Sequence, residues 1–156
     1  PVFLEEKQKL EGNIRSVRHQ FKYDLFISYS RKNQLEANWL EEELLRQDPG
    51  LRIFLDRKEL STGMNWQQEL YEALDDCRMV VAMLSEPYIG SKVCKEEFNI
   101  AVFRHREANE AILFPIFLYS AHLPTYMKLI QFTDCREYDQ AKLSAACAAI
   151  IQQIDG

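Results

Sequence analysis

The apolar run at positions 79–84 (MVVAML) constrains the fold more than any other part of this chain. It contains no polar residue, which is typical of a strand buried on both faces of a parallel sheet. Runs rich in strand-forming residues recur along the chain, and stretches with helical periodicity separate them. We expect strands at 23–30, 51–55, 78–84, 111–117 and 128–133, and helices at 34–47, 66–76 and 139–154, with a further helix that follows a turn at 86–90 and ends near 106.

This alternation predicts an α/β fold, because parallel strands need crossover helices that cover both faces of the sheet. With right-handed crossovers, five such strands indicate a flavodoxin-like three-layer sandwich with a parallel sheet of order 2-1-3-4-5. In that order the winding reverses between strands 1 and 3, and ligands bind outside the carboxyl ends of the strands there. Pro115 removes one ladder donor from the fourth strand, which favours an edge or a strand end.

The helix that ends near residue 106 carries a carboxylate in an unexpected place. Its apolar residues recur at helical spacing and define an inward stripe: Val93, Cys94, Phe98, Ala101 and Val102. Glu97 falls within this stripe, four residues after Val93 and four before Ala101. A buried carboxylate is unfavourable unless it is paired or lies in a cleft. We therefore expect Glu97 to be paired or to serve a site.

Other helix faces are assigned by the same periodicity. The helix at 34–47 is expected to bury Leu35, Trp39, Leu40, Leu44 and Leu45 and to expose Glu36, Glu41, Glu42 and Glu43. The helix at 66–76 is expected to turn Trp66, Leu70, Ala73 and Leu74 inward.

Composition excludes several classes of function. The net charge of −5 and the pI of about 5.3 argue against nucleic-acid binding through phosphate neutralisation. The four cysteines form no CxxC pair and the three histidines have no ligand spacing, so we expect no metal, buried reduced thiols and a cytoplasmic setting. No apolar run approaches the ~20 residues of a membrane span, so we expect no direct membrane contact. We interpret residues 1–20 as a linker or N-terminal extension and residues 21–156 as one domain.

Four motifs, in order, resemble the Toll/interleukin-1 receptor (TIR) domain family. Residues 23–30 (YDLFISYS) resemble its box 1, and residues 54–63 (FLDRKELSTG) are similar to its second motif and BB loop. Residues 93–97 (VCKEE) match the pattern Trp-Cys-x-x-Glu except that valine replaces tryptophan, and residues 114–116 (FPI) resemble the fourth-strand motif. The likeness extends from about residue 21 to about residue 154.

The resemblance implies one of two activities. Some members are signalling scaffolds that bind other TIR domains, and others cleave NAD at the nicotinamide–ribose bond, giving linear or cyclic ADP-ribose. In the cleaving members a glutamate at the position of Glu97 is essential, and the BB loop here looks more like theirs than like that of vertebrate receptors. NAD would then be a substrate, because the chain has no Gly-x-Gly-x-x-Gly cofactor motif. Homotypic contacts would use the BB loop, which comprises Arg57, Lys58, Glu59, Leu60, Ser61, Thr62, Gly63 and Met64.

Each candidate site residue also has a structural interpretation. Ser30 and Arg31, which end the first strand, could contact ribose or phosphate or be solvated, and Asp56 could contact a ribose or form a turn. Trp66 could stack on a substrate ring or pack in the core. Glu97 is a catalytic candidate, or a structural carboxylate paired with Arg31 or with the backbone. The sequence thus leaves an assembly-dependent NAD glycohydrolase and a non-catalytic interaction module as alternatives.

Overall fold

The structure, a computed structural model, describes residues 20–55 and 66–156. Strands and helices alternate along these residues. The strands are β1 (Tyr23–Ser28), β2 (Ile53–Leu55), β3 (Cys77–Leu84), β4 (Leu113–Phe117) and β5 (Thr133–Asp134). The α-helices are α1 (Gln34–Gln47), α2 (Trp66–Asp75), α3 (Glu86–Ile89), α4 (Lys92–Glu107) and α5 (Gln140–Asp155), and 3-10 helices lie at Arg31–Asn33 and Thr125–Lys128.

The strands form one parallel sheet of order β2-β1-β3-β4-β5, which confirms the predicted fold. Phe26 of β1 lies opposite Phe54 of β2 on one side and opposite Val80 of β3 on the other. All eight residues of β3 are buried, as the uninterrupted apolar run predicts. The winding of the sheet therefore reverses between β1 and β3.

Two apolar clusters fill the two faces of the sheet. On one face, Leu25 and Ile27 of β1 pack with α1 and α5. On the other face, Phe26 packs with α2, α3 and α4. Successive residues of a strand point to opposite faces, so Ser28 points to the side of the sheet that α3 and α4 cover. The four cysteines are free thiols buried in these clusters, which confirms that they are core residues.

The prediction for α1 was wrong at four positions. Leu35 is 73% exposed and Leu45 is 36% exposed, whereas Glu36 and Glu43 are buried. The buried carboxylates have partners: Asn33 Nδ2 donates to Glu36 at 2.8 Å, and Glu43 accepts from Arg46 and from Ser144 of α5. These hydrogen bonds offset the free-energy cost of burying the two carboxylates. That cost was the reason to expect both glutamates at the surface.

Two other predictions of local structure were also wrong. Trp66, the first residue of α2, was expected to point inward but is 40% exposed. The expected strand at 128–133 is not formed: Lys128 ends a 3-10 helix, and β5 begins only at Thr133. The residues between them contribute packing instead, since the Phe132 ring meets the Phe117 ring edge-on at 5.2 Å.

Pro115 lies in β4 at a position where one side of the strand has no neighbouring strand, so its missing amide donor leaves no gap in the sheet hydrogen bonds. β4 lies between β3 and β5, but β5 pairs only with its last two residues, beyond Pro115. The amide of Leu118 donates to Leu84 of β3, so by alternation the Pro115 nitrogen points away from β3. The amide of Leu113 on that same side donates to His105 Nδ1 at 3.1 Å. The side of β4 that β5 leaves uncovered therefore presents no amide donor at these two positions.

No helix within residues 20–55 and 66–156 combines the length and the hydropathy of a bilayer span. In the same part of the chain, no group of three or more His, Cys, Asp or Glu side chains could hold a metal ion. The boundary at residue 20 between extension and domain stays a prediction.

Candidate active site

Glu97 lies on the inward face of α4, with its side chain fully buried. Cys94, Phe98 and Ala101 on that face are equally buried, which confirms the predicted stripe at these positions, whereas Val93 and Val102 are only half-buried. Ser28, the last residue of β1, donates from Oγ to Glu97 Oε1 at 2.7 Å. The carboxylate therefore lies at the carboxyl end of β1, on the face covered by α3 and α4.

A tyrosine extends this contact. The Tyr88 hydroxyl lies 2.8 Å from Ser28 Oγ, and both side chains are fully buried. Ser28 has one hydroxyl proton and gives it to Glu97, so Tyr88 must donate to Ser28. Burial raises the pKa of Tyr88 well above its usual value, and the nearby Cys94 and Glu97 raise it further, so the phenol keeps its proton. The three groups form a directed chain from Tyr88 through Ser28 to Glu97.

A second polar network holds the helix that carries Tyr88. Ser85, directly after β3, caps α3 by accepting from the Tyr88 amide at 3.2 Å. The Ser85 hydroxyl donates to Asn33 Oδ1 at 2.7 Å, and Asn33 in turn donates to Glu36. Ser85 is fully buried, and Asn33 and Glu36 are nearly so. These bonds join the segments that follow β1 and β3, which fixes the position of the short helix.

None of the other predicted site residues is shown in contact with Glu97 in the part of the chain that the structure describes. Ser30 is buried and caps the first 3-10 helix, where its Oγ accepts from the Lys32 amide at 3.3 Å. Arg31 begins that helix and is exposed, and Trp66 is exposed at the start of α2. Asp56 and the BB-loop residues 57–64 lie outside the described residues.

Sequence reasoning missed the residue that contacts Glu97. Ser28, two positions before Ser30, makes the hydrogen bond, whereas the structural interpretation from sequence offered Arg31. A signal existed, because Ser28 is a polar residue that directly follows an apolar run in a strand. A second signal was the spacing of Ser85 and Tyr88, which is that of a helix cap and the third helical residue.

The comparison with known families decides the classification. A sequence model described as the TIR domain matches residues 25–147, most of the chain. The chain belongs to the TIR domain family. The family resemblance inferred from the four motifs is thereby confirmed.

The chain is similar in sequence to Toll-like receptors and in fold to other solved TIR domains. It is 25% identical over 112 residues to Toll-like receptor 2 of Ovis aries, an alignment that covers 69% of this chain but only 14% of the receptor. The TIR domain of the Toll-related receptor TRR-2 from Hydra magnipapillata superposes with a TM-score of 0.70 at 13% identity, covering 86% of this chain and all of that one. A metazoan TIR-STING receptor from C. gigas gives a TM-score of 0.70 at 20% identity, covering 89% of this chain and 41% of the receptor chain. The structural likenesses support the fold.

Proposed function

We propose that this TIR domain assembles with other TIR domains in cytoplasmic, innate-immunity-type signalling and, once assembled, cleaves NAD between nicotinamide and ribose. One observation carries the proposal: a carboxylate, Glu97, is buried at the carboxyl end of β1 in an otherwise apolar stripe. In an open α/β sheet, the point between β1 and β3 where the winding reverses is where ligands bind. A buried ionisable group at such a point is a candidate for chemistry.

The proposed reaction needs little acid–base catalysis from the protein. The bond between C1′ of the ribose and the pyridinium nitrogen breaks, and its electron pair moves to nicotinamide, which leaves as a neutral molecule. Water then bonds to C1′ and loses a proton to give ADP-ribose, whereas attack by the adenine of the same nucleotide would give a cyclic product. No general acid is needed, in contrast to ordinary glycoside cleavage. Glu97 would stabilise the positive charge that develops on the ribose and bind its hydroxyls.

Burial of Glu97 supports a dependence on assembly. A fully buried side chain cannot touch NAD, so the reaction requires a conformation in which Glu97 becomes accessible. Contacts with a second TIR domain could favour that conformation if they bind it more tightly than the closed one. The activity of isolated domains should therefore be low and should rise with local concentration.

One surface groove supports assembly through helical faces as well as through the predicted BB loop. It lies between α2 and α4, has a volume of about 450 Å³, and is lined by both apolar and polar side chains. Its lining residues are Tyr71, Asp75, Glu96, Asn99 and Ile100. Phe103, one turn beyond Ile100 on the same side of α4, is 68% exposed.

The test of the catalytic role compares two glutamates of α4. Purified domain is clustered on a surface, supplied with NAD, and assayed for nicotinamide. We expect Glu97→Gln to lower the rate about a hundredfold, because it removes the charge that stabilises the transition state. Glu107→Gln is the matched control, since Glu107 is the last residue of the same helix, is exposed, and does not line the groove. Equal rates for the wild type and Glu97→Gln would contradict the proposal.

The burial of Glu97 also favours a second candidate function, a non-catalytic interaction module. In that case Glu97 is a structural carboxylate held by Ser28, and signalling depends on surface contacts alone. Substitution of Arg57 or Gly63 in the predicted BB loop should then abolish association and signalling, whereas Glu97→Gln should leave both intact. Loss of signalling in a folded Glu97→Gln variant would exclude this candidate.

A further inference from the structure

Three polar side chains are buried and linked in series by hydrogen bonds in the half of the core that α3 and α4 cover. Ser28, Tyr88 and Glu97 are each fully buried, although Ser28 directly follows the apolar residues of β1. Replacing both partners of a buried hydrogen bond by apolar groups of the same shape can be nearly neutral or even stabilising. Stability alone therefore does not account for the trio.

The two hydrogen bonds run in one direction, from Tyr88 through Ser28 to Glu97. Tyr88 donates to Ser28 over 2.8 Å, and Ser28 donates to Glu97 Oε1 over 2.7 Å. Both contacts are within the normal range for hydroxyl donors, and chains of hydrogen bonds in a water-poor interior strengthen one another. The Ser28 hydroxyl contacts the carboxylate directly and limits the rotation of its plane, and Tyr88 acts on the carboxylate only through Ser28.

The origin of the chain is itself fixed. Tyr88 belongs to the one-turn helix α3, which Ser85 caps and the Asn33 contact ties to the segment after β1. The ring of Tyr88 packs in the core on the same side of the sheet as Phe98 of α4. A displacement of Tyr88 would therefore require repacking, and its hydroxyl is a rigid reference point for Ser28.

We propose that Tyr88 and Ser28 are positioning residues for Glu97, acting as one unit that holds the carboxylate in a single orientation, in the accessible conformation that the reaction requires as well as in the closed one. The inference rests on the proposed cleavage of NAD, because it assigns the pair a role in that reaction. Neither residue touches the substrate in this account. The pair lowers the barrier by aiming Glu97, while NAD binding depends on other residues.

The test is a double-mutant cycle on nicotinamide release by clustered domain. Tyr88→Phe and Ser28→Ala should each lower kcat about 10- to 100-fold, the scale expected for a misaligned catalytic group, with KM for NAD within about threefold of the wild type. Because the two residues act in series, the double variant should be no more than about threefold slower than the slower single variant. Thermal unfolding checks that each variant is folded at the assay temperature.

Tyr29→Phe is the matched control. Tyr29 follows Ser28, is fully buried, and also uses its hydroxyl in a hydrogen bond, to Gln34 Oε1 at 3.1 Å. It packs in the cluster on the opposite face of the sheet, so its loss should leave kcat within about twofold of the wild type.

The outcomes separate the inference from the function on which it rests. An active wild type with an unchanged kcat in Tyr88→Phe would overturn the positioning role alone. Multiplicative losses in the double variant would also overturn it, since they indicate two independent effects. A wild type that releases no nicotinamide at any density would overturn both the proposed function and the positioning role. A non-additive loss in kcat at constant KM supports the inference.

Discussion

Arg78 offers a sharp test of how the sheet is joined to its last helix. This buried arginine at the start of β3 donates from Nη1 to the Ala111 carbonyl at 2.7 Å and from Nη2 to the Gln153 carbonyl at 3.2 Å. Its Nη2 also lies 3.2 Å from Glu110, which is 53% exposed. The guanidinium thus links β3 to the segment before β4 and to the last turn of α5.

Arg78→Met keeps the apolar stem of the side chain and removes the donors. Each hydrogen bond from a charged donor contributes about 1.5 kcal/mol or more, so the loss of two predicts about 3 kcal/mol. The pair with Glu110 contributes little because that carboxylate is solvated, so Glu110→Gln should lower the free energy of unfolding by less than about 1 kcal/mol. Arg78→Lys can replace one of the two bonds and should recover about half of the loss.

Urea unfolding followed by circular dichroism measures these differences, provided that the slope with denaturant is constant across the variants. A loss below about 1 kcal/mol for Arg78→Met would refute the reasoning that two carbonyl contacts hold the helix. If Glu110→Gln lowered the free energy of unfolding as much as Arg78→Met does, the reasoning would also be refuted, because the ion pair with Glu110 would then dominate.

Three further predictions concern thiols, a carboxylate and an imidazole. Burial raises the pKa of Cys77 to about 11 and the pKa of Cys147 to about 12, so a thiol reagent near pH 8 should label both only after urea unfolding. Hydrogen bonds from the side chain and the backbone of Arg136 lower the pKa of Asp134 to about 2. Because this folded pKa lies below the unfolded value of about 4, the contribution to stability is complete above that pH and is lost as the pH falls toward 2. An NMR titration of Arg136→Gln should accordingly move the Asp134 midpoint upward, and an unchanged midpoint would contradict this assignment. His105→Ala leaves the two amides at the start of β4 without their acceptor and should lower the free energy of unfolding by about 1 to 3 kcal/mol, as measured by urea unfolding.

The sheet was predictable because its sequence signals are strong and local. The apolar run of β3 and the alternation of strands with helices determine a parallel sheet, and handedness then restricts the strand order. α1 was predicted with the correct bounds at Gln34–Gln47. Its inward face was predicted only in part: Leu40 and Leu44 are buried as expected, but Glu36 and Glu43 are also buried, by partners that helical periodicity does not reveal.

The candidate site was predictable only in its central residue. Glu97 stood out because a carboxylate interrupted an apolar stripe. Its contact with Ser28 depends on how far β1 runs before it turns and on the depth at which α4 packs, and these are tertiary quantities. Tyr88 was assigned to a turn, whereas the cap from Ser85 makes a helical turn there and directs the phenol toward Ser28. Interactions between segments sixty or more residues apart leave little trace in a single sequence.

The most direct test of the account is the rate of nicotinamide release per domain as a function of density on a surface. We expect a rate that is low for dispersed domain, rises as the wild type is clustered, and stays near background for clustered Glu97→Ala. Retention of the wild-type rate by Glu97→Ala, or the absence of release at every density, would contradict the claim that Glu97 cleaves NAD in the assembled domain.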